Sequence, residues 1–168
     1  MTKNGLLVNY DIYILAIMRR KENELTDPDE IIDIISRSTV CRLAMCFGEQ
    51  PYVVPVSFGF KDNRLYIHSS PAGKKIDALR KNNNVCVEFD IDGRMIKTGK
   101  ACNWGFNYKS VIGYGTAQFV NDFVEKTEAL DIIMSHYSGG SFKYEKKQVD
   151  ACLIIRIDLK RLTGKQSV

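Results

Sequence analysis

The sequence has no cysteine pair with the CxxC spacing of zinc or redox sites, and its five cysteines are an odd number. Most of them sit in apolar segments, so we expect reduced thiols in the core of a cytoplasmic protein. A metal site has little support, because the chain has only two histidines and no HExxH motif. The cysteines are Cys41, Cys46, Cys86, Cys102 and Cys152.

Other familiar functional motifs are also missing. The chain has no GxSxG nucleophile elbow, no GxGxxG dinucleotide fingerprint and no GxxxxGK[ST] phosphate loop. Conventional serine hydrolases, Rossmann enzymes and P-loop enzymes are therefore disfavoured. The 24 basic residues only slightly outnumber the 20 acidic ones and are spread along the chain, so nucleic acid is not implied.

The N-terminus has no export signal of the usual kind. Its apolar run, residues 12–17, is about one strand long, follows Asp11 and has no small-residue cleavage site before the basic residues 19–21. Neither a signal peptide nor a membrane span fits. We interpret residues 1–17 as an N-terminal extension and 18–168 as one domain, with a natural start at Met18 as the alternative.

Two segments predict helices through their caps. Residues 27–30 combine an N-cap aspartate, a proline and a glutamate, and isoleucines follow; residues 122–125 form a second capping box. A third helix is expected from Ser70-Pro71. Alternating apolar residues predict strands over 40–47, 52–60, 64–69, 85–91, 110–120 and 151–159, the first three as a meander. Antiparallel strands with isolated helices favour a mainly β fold with α insertions, a barrel.

The strand predicted over residues 52–60 has large side chains on one face and small ones on the other. The small face leaves room for a flat ligand to lie against the strand and reach backbone groups. An edge strand, which Pro55 also suits, is the alternative. The small face carries Val53, Pro55, Ser57 and Gly59.

The strongest local signal is the segment Ser69-Ser70-Pro71-Ala72-Gly73-Lys74-Lys75, where a strand runs into a helix with two lysines in its first turn. Cations are disfavoured at a helix N-terminus by the helix dipole, and an anion would resolve this conflict. Backbone N–H groups, serine hydroxyls and ammonium groups together suit a phosphate monoester. A solvated basic helix start is the alternative.

Three further sets of residues are candidates for a role in binding or catalysis. Arg42 lies centrally in an apolar strand, where it either meets an anion or forms an ordinary salt bridge. His68 lies beside the predicted phosphate segment and is either a proton donor or structural. The aromatic residues Trp104, Phe106 and Tyr108 line a flat pocket or belong to a core or an interface.

Several motifs together resemble a family, although each alone is weak. The chain from Met18 onward is similar to the nitroimidazole-resistance type of flavin-binding protein within the pyridoxamine 5′-phosphate oxidase-like split-barrel superfamily. The motifs are Met18-Arg19-Arg20-Lys21, Val40-Cys41-Arg42-Leu43, Pro51-Tyr52-Val53-Val54-Pro55-Val56, Leu65-Tyr66-Ile67-His68-Ser69, Gly73-Lys74-Lys75, Ser110-Val111-Ile112-Gly113-Tyr114-Gly115 and Leu162-Thr163-Gly164-Lys165.

The resemblance implies an FMN-binding split β-barrel of antiparallel Greek-key type, with FMN between the two subunits of a homodimer. By position, Arg42, Ser69 and Lys74 or Lys75 would hold the phosphate. The isoalloxazine ring would lie along Val54, Pro55, Val56 and Ser57, with His68 near it as the catalytic residue. Trp104, Tyr108 and Ser110 would come from the partner subunit.

The implied function is an FMN-dependent oxidoreductase that takes electrons from NAD(P)H or another donor and reduces a nitroaromatic acceptor, with neither nucleic acid nor a membrane as partner. A flavin-binding redox sensor or carrier without turnover is one alternative. A split barrel that binds haem or a deazaflavin is another. A true pyridoxamine phosphate oxidase is disfavoured, because residues 161–168 offer no second phosphate site.

Overall fold

Eight antiparallel strands form one sheet in the computed structural model, which describes residues 19–167. The predictions for residues 1–17 and for a start at Met18 lie outside these residues. The mainly β architecture with helical insertions is confirmed. The elements are β1 (Glu24–Leu25), α1 (Pro28–Arg37), β2 (Cys41–Phe47), β3 (Gln50–Val56), β4 (Gly59–Lys61), β5 (Arg64–Ser69), α2 (Lys74–Lys81), β6 (Asn84–Ile96), β7 (Gly105–Val120), α3 (Phe123–Tyr137), α4 (Lys146–Ala151) and β8 (Leu153–Ser167).

The sheet follows the order β3-β2-β6-β7-β8-β5-β4, and β1 pairs with the far end of β8. Its inner face holds the core, in which aliphatic side chains of β2, β5, β6 and β8 meet those of α1 and α2. Gly113 lies on this inner face, where a Cβ would come within 2.8 Å of Val87 and 2.9 Å of Leu162. A side chain at position 113 would therefore collide with the core, and glycine permits the close packing of β7 here.

The two helices predicted from capping boxes form where expected. The Asp27 side chain accepts a hydrogen bond from the backbone N–H of Asp29 at 3.0 Å, and α1 then buries Ile31, Ile34 and Ile35. At α3, Asp122 accepts from the N–H groups of the second and third helical residues, each at 3.0 Å. These side chains satisfy donors that a helix start leaves unpaired.

The predicted meander over residues 40–69 is wrong. The strand expected over 52–60 ends at Val56, and the chain crosses from β3 at one end of the sheet to β4 at the other. Phe58, fully buried at this crossing, packs against Phe89 and His136 with ring centroids 5.1 and 4.2 Å away. Burial against two different elements outweighs the strand-like alternation of the sequence.

The crossing is also held by hydrogen bonds from the end of α3. The backbone N–H of Phe58 donates to the Tyr137 hydroxyl at 3.0 Å, and that hydroxyl donates to the Thr39 carbonyl at 3.0 Å. The neighbouring His136 Nε2–H donates to the Ser38 carbonyl at 2.7 Å. The two residues that end α3 thus join the start of β2 to the start of β4.

Position 59 requires a glycine for a reason that the sequence does not show. A Cβ at this position would lie 2.6 Å from backbone atoms of Ile132 and Ile133 in α3. The smallness of Gly59 therefore serves close packing of a helix on β4, and the flat-ligand interpretation is wrong at this position. Val53, Pro55 and Ser57 remain exposed on β3 and the residue after it.

Three other expectations need correction. The helix α2 begins at Lys74 and not at Ser70-Pro71, because Gly73 has φ +125° and interrupts any earlier helical turn. The last strand extends to Ser167 instead of ending at 159, and the short helix α4 was not predicted. Among the cysteines, all free, Cys41 is fully buried whereas Cys46 and Cys102 are exposed.

The segment of residues 93–108, which gave no clear pattern, is a two-stranded ribbon. It is the continuation of β6 and β7 beyond the irregularity between Ile91 and Arg94, with a single turn of 3-10 helix at Ala101–Asn103. Most of its side chains are exposed, so it lacks the buried face that produces an alternating pattern. Over residues 19–167, no helix combines the length and apolar character needed to cross a bilayer.

Candidate functional site

The predicted phosphate segment joins β5 to α2 at an uncapped helix start. No side chain caps the first turn of α2, whose N-cap residue is Gly73. Lys74 and Lys75 occupy this first turn, and within residues 19–167 neither takes part in an ion pair. The first turn of α2 thus offers backbone donors and two lysines that form no ion pair, beside one carboxylate, Asp77, and such a turn suits an anion.

The two lysines have different surroundings. Lys74 is exposed, and its Nζ lies 4.7 Å from the ring centroid of Tyr52 and 5.7 Å from that of Phe47. Lys75 is half-buried, and burial lowers its pKa. A partly desolvated ammonium group without a counterion is unfavourable, and a bound anion would reverse that cost.

Tyr52 and Phe47 are site residues that the sequence analysis missed. Both lie on strands whose alternation accounts for them, and both do pack against the core. The alternating pattern could not show that α2 crosses the end of β2. This crossing brings Lys74 over the Tyr52 ring and Lys81 over the Phe47 ring, with Lys81 Nζ 4.6 Å from the Phe47 centroid. Aromatic rings under ammonium groups hold the cations in place through cation–π attraction.

β3 presents an open edge in the part of the chain that the structure describes. It pairs with β2 along one side only. Val54 and Val56 are half-buried and pack on the core, whereas Pro55 and Ser57 are exposed. The edge strand that was the alternative for this stretch is therefore present, and the flat ligand along it stays a prediction.

His68 and Ser69 are neighbours near the end of β5, opposite Ile154 and Leu153 of β8. Successive strand residues point to opposite faces, so the two side chains leave the strand in opposite directions. His68 is exposed and Ser69 is half-buried. Ser69 lies four residues before Gly73 in sequence, and it thus opens the predicted phosphate segment.

Arg42 is engaged elsewhere. Its guanidinium donates to Glu88 at 2.9 Å and also contacts Asp90, both on the adjacent strand β6. Hydrogen bonds to these two carboxylates raise its pKa. The side chain is 49% exposed, and such pairs contribute at most about 1 kcal/mol. The structure thus shows the salt bridge given as the alternative for Arg42. Arg42 also lies opposite Pro55 of β3, and its role as a phosphate ligand stays a prediction.

Trp104, Tyr108 and Ser110 lie far along the sheet from the phosphate segment. Ser69 pairs with Leu153 at the start of β8, whereas Tyr108 pairs with Ser167 at its end. β8 has 15 residues, so roughly 45 Å of strand separates the two places. The two sets thus lie near opposite ends of β8 within one chain.

The three residues differ in how they are held. Ser110 is 9% exposed. The Trp104 ring is half exposed, and its Nε1–H donates to the Thr98 carbonyl at 2.9 Å. Tyr108 stacks on Phe106 with ring centroids 6.5 Å apart and lines a cavity of about 480 Å³ between the ribbon and the end of β8. This exposed aromatic surface is available to a second molecule.

Comparison with known proteins relates this arrangement to solved structures. A crystal structure of a candidate 5-nitroimidazole antibiotic resistance protein from Bacteroides thetaiotaomicron is 33% identical, with a TM-score of 0.78 over 85% of this chain and 86% of that one. A FAD-binding protein from Mesorhizobium loti is 25% identical, with a TM-score of 0.65 over 86% and 97%. A FAD- and haem-binding protein from Mycobacterium smegmatis shares the fold at 18% identity, with a TM-score of 0.78 over 86% and 73%.

Sequence comparison points in the same direction. An uncharacterized protein of Rhizobium meliloti is 38% identical over 60 residues, which are 36% of this chain, and the match spans 39% of the relative's length. The family model described as pyridoxamine 5′-phosphate oxidase matches residues 27–166. The predicted split-barrel fold is thereby confirmed. The chain belongs to the pyridoxamine 5′-phosphate oxidase-like family.

Proposed function

We propose that this protein is an FMN-dependent oxidoreductase that reduces nitroaromatic compounds of the 5-nitroimidazole kind. The observation that carries the proposal is the uncapped start of α2, where Lys74 and Lys75 stand without ion-pair partners among residues 19–167 next to the open edge of β3. A phosphate there would accept from backbone N–H groups, from Ser69 and from both lysines. Each charge-assisted bond contributes roughly 1.5–3 kcal/mol.

More of the relatives support the binding of a flavin than support a nitroaromatic electron acceptor. The protein from Mesorhizobium loti is described as FAD-binding, and the one from Bacteroides thetaiotaomicron is connected with 5-nitroimidazole resistance. The proposal of a nitroaromatic acceptor is supported by the similarity to the Bacteroides thetaiotaomicron protein and by the motifs around His68. The free thiols of residues 19–167 also suit a reducing compartment, in line with a cytoplasmic location.

We further propose a homodimer in which each flavin contacts both subunits. Within one chain, roughly 45 Å of β8 separates Ser69 from Tyr108. Trp104, Tyr108 and Ser110 would then approach the flavin held at the phosphate segment of the partner. The exposed ribbon side chains, Met95 at 52% and Phe106 at 50%, would be covered in that assembly.

Different residues of the chain would bind the phosphate, orient the flavin ring and donate a proton. A bound flavin supplies two-electron transfer between a pyridine nucleotide and the acceptor. The lysines and Ser69 hold the phosphate, and the β3 edge with Val54, Pro55, Val56 and Ser57 orients the ring. His68 donates a proton from its imidazole N–H to the acceptor as negative charge develops there. Arg42 fastens β2 to β6 through Glu88 and Asp90 and so supports the strand beside β3.

The first experiment is the absorption spectrum of the dialysed protein, followed by anaerobic addition of NADH or NADPH and then of a nitroimidazole. We expect a flavin spectrum that bleaches with the donor and recovers with the nitroimidazole. Flavin that never recovers on adding acceptor would indicate a sensor or carrier. A haem or deazaflavin spectrum would reassign the ligand, and no chromophore uptake would refute the proposal.

A double substitution tests the phosphate site. Lys74→Ala with Lys75→Ala removes both first-turn ammonium groups, and we expect the Kd for FMN to rise at least about 100-fold, since two charge-assisted contacts are lost. Thermal unfolding of the flavin-free protein should change little. The matched control is Lys146→Ala with Lys147→Ala at the start of α4, which should leave FMN binding intact. Equal FMN affinity in both variants would contradict the assignment.

A further inference from the structure

Two free cysteines lie on the same side of neighbouring strands. In β2 the buried residues alternate with more exposed ones, and Cys46 is on the exposed side. In β6 the half-buried Cys86 alternates with the buried residues Val85 and Val87. Successive strand residues point to opposite faces, so both cysteine side chains leave the sheet on its outer face, away from the core.

The pairing of β2 with β6 brings these cysteines together, although forty residues separate them in sequence. Ala44 lies opposite Cys86, and Cys46 is two residues further along β2. The two cysteines are therefore diagonal neighbours, whose Cα atoms in a sheet are about 7–8 Å apart. A disulfide needs a Cα separation below about 7 Å, so this placement leaves the thiols close to each other but unlinked.

Both cysteines line a cavity of about 390 Å³ that opens where β2 ends and β6 begins. The wall of this cavity is mostly apolar and includes Ala44, Pro51 and Val53. Burial raises the pKa of the Cys86 thiol, so this thiol is protonated near neutral pH. A space bounded by two thiols suits a soft metal ion that displaces their protons, because thiolate sulfur is the metal ligand.

The number of ligands restricts the identity of the ion. Within residues 19–167, no third histidine, cysteine, aspartate or glutamate joins the pair. Structural zinc takes four ligands, whereas magnesium and calcium take oxygen ligands. Cu(I) is soft, prefers sulfur and is stable between two thiolates. Metal–thiolate bonds are about 2.3 Å long, as for zinc, so one ion would hold two sulfurs roughly 4–5 Å apart, a separation that diagonal strand neighbours allow.

We propose that Cys46 and Cys86 form a two-thiolate binding site for Cu(I), which we call the dithiolate site. Binding releases one proton from each thiol and changes no oxidation state. Copper persists as Cu(I) under the reducing conditions that also keep thiols free. The dithiolate site goes beyond the proposed function and does not depend on a bound flavin.

The experiment titrates the reduced protein with Cu(I) under anaerobic conditions, with bicinchoninate as the competing chelator. We expect the protein to take one Cu(I) per chain and to gain a sulfur-to-copper charge-transfer band in the ultraviolet. Half an ion per chain would place copper between two copies of the protein and overturn the proposal. A protein that takes no Cu(I) from the chelator would also overturn it.

Two substitutions each leave a single thiol at the site. Cys46→Ser and Cys86→Ser should each raise the Kd for Cu(I) at least about 100-fold, because loss of even an outer-shell contact costs roughly 10–100-fold in metal affinity. The matched control is Cys102→Ser, at an exposed thiol in the 3-10 turn of the ribbon, which should leave the Kd unchanged. Full affinity in either of the first two variants, or a loss in the control, would overturn the assignment.

A bifunctional reagent tests the proximity of the two thiols without any substitution in the reacting protein. Dibromobimane becomes fluorescent once two neighbouring thiolates have displaced both of its bromides. We expect fluorescence in the original protein, its loss in Cys46→Ser and in Cys86→Ser, and protection by one equivalent of Cu(I) added beforehand. Absence of fluorescence in the original protein, or fluorescence that Cu(I) does not prevent, would contradict the dithiolate site.

Discussion

Substitution of Gly59 by alanine distinguishes a packing role from a ligand role at the crossing between β3 and β4. An alanine Cβ would lie 2.6 Å from the carbonyl carbon and oxygen of Ile132 and from the nitrogen of Ile133. These are backbone atoms of α3 and cannot rotate away as a side chain can. Overpacking costs roughly 1–3 kcal/mol, and we expect Gly59→Ala to fall at the upper end.

The measurement is urea unfolding of the flavin-free protein at one fixed concentration, because association would otherwise shift the midpoint. The control is Gly99→Ala, where no atom lies within 4 Å of the added Cβ. That variant should stay within about 1 kcal/mol of the original protein, since it mainly restricts the unfolded chain.

Flavin binding supplies the second readout for Gly59→Ala. If α3 explains the glycine, the folded fraction of the variant binds FMN with nearly unchanged affinity. Unfolding free energies equal to those of Gly99→Ala would refute the packing argument. A stable variant with strongly weakened FMN binding would restore the interpretation that the glycine makes room for a flat ligand.

Three other substitutions test separate parts of the structure. His68→Ala should retain flavin but slow acceptor reduction about 100-fold or more in stopped-flow assays, and an unchanged rate would make His68 structural. Tyr137→Phe should lower the free energy of unfolding by roughly 1–3 kcal/mol, because the buried N–H of Phe58 loses its acceptor; an unchanged urea midpoint would contradict this. Asp122→Ala should cost about 1 kcal/mol through loss of the α3 cap, and a variant as stable as the original protein would show that the cap contributes nothing.

The sequence predicted elements whose signals are local. The helices α1 and α3 begin at caps that act within three residues, and β2 and the first half of β6 each have one buried face that alternates. The crossing at Ser57–Phe58 could not be predicted in the same way. Alternation continues through it, and what ends β3 is the burial of Phe58 by β6 and α3, far away in sequence.

The candidate site was predictable to the extent that its residues are consecutive. Ser69–Lys75 could be singled out because the helix start, the glycine and the lysines adjoin. Arg42 shows the opposite case, since its central position in a strand suits either an anion or the carboxylates of a neighbouring strand. Only the pairing of β2 with β6 shows that Glu88 lies opposite it. Tyr52 likewise gains significance only when α2 brings Lys74 over its ring.

The pairing of β8 also has a consequence for how the protein is made. This last strand pairs with β7 and β5 and also with β1, so Leu25 meets Gly164 across almost the whole chain. A ribosome must therefore release most of the polypeptide before the central strands find their partner. Until then β5 and β7 expose hydrogen-bonding edges, which invite association with other nascent chains. Folding should be slow for a protein of this size and should depend on chaperones that shield those edges during synthesis.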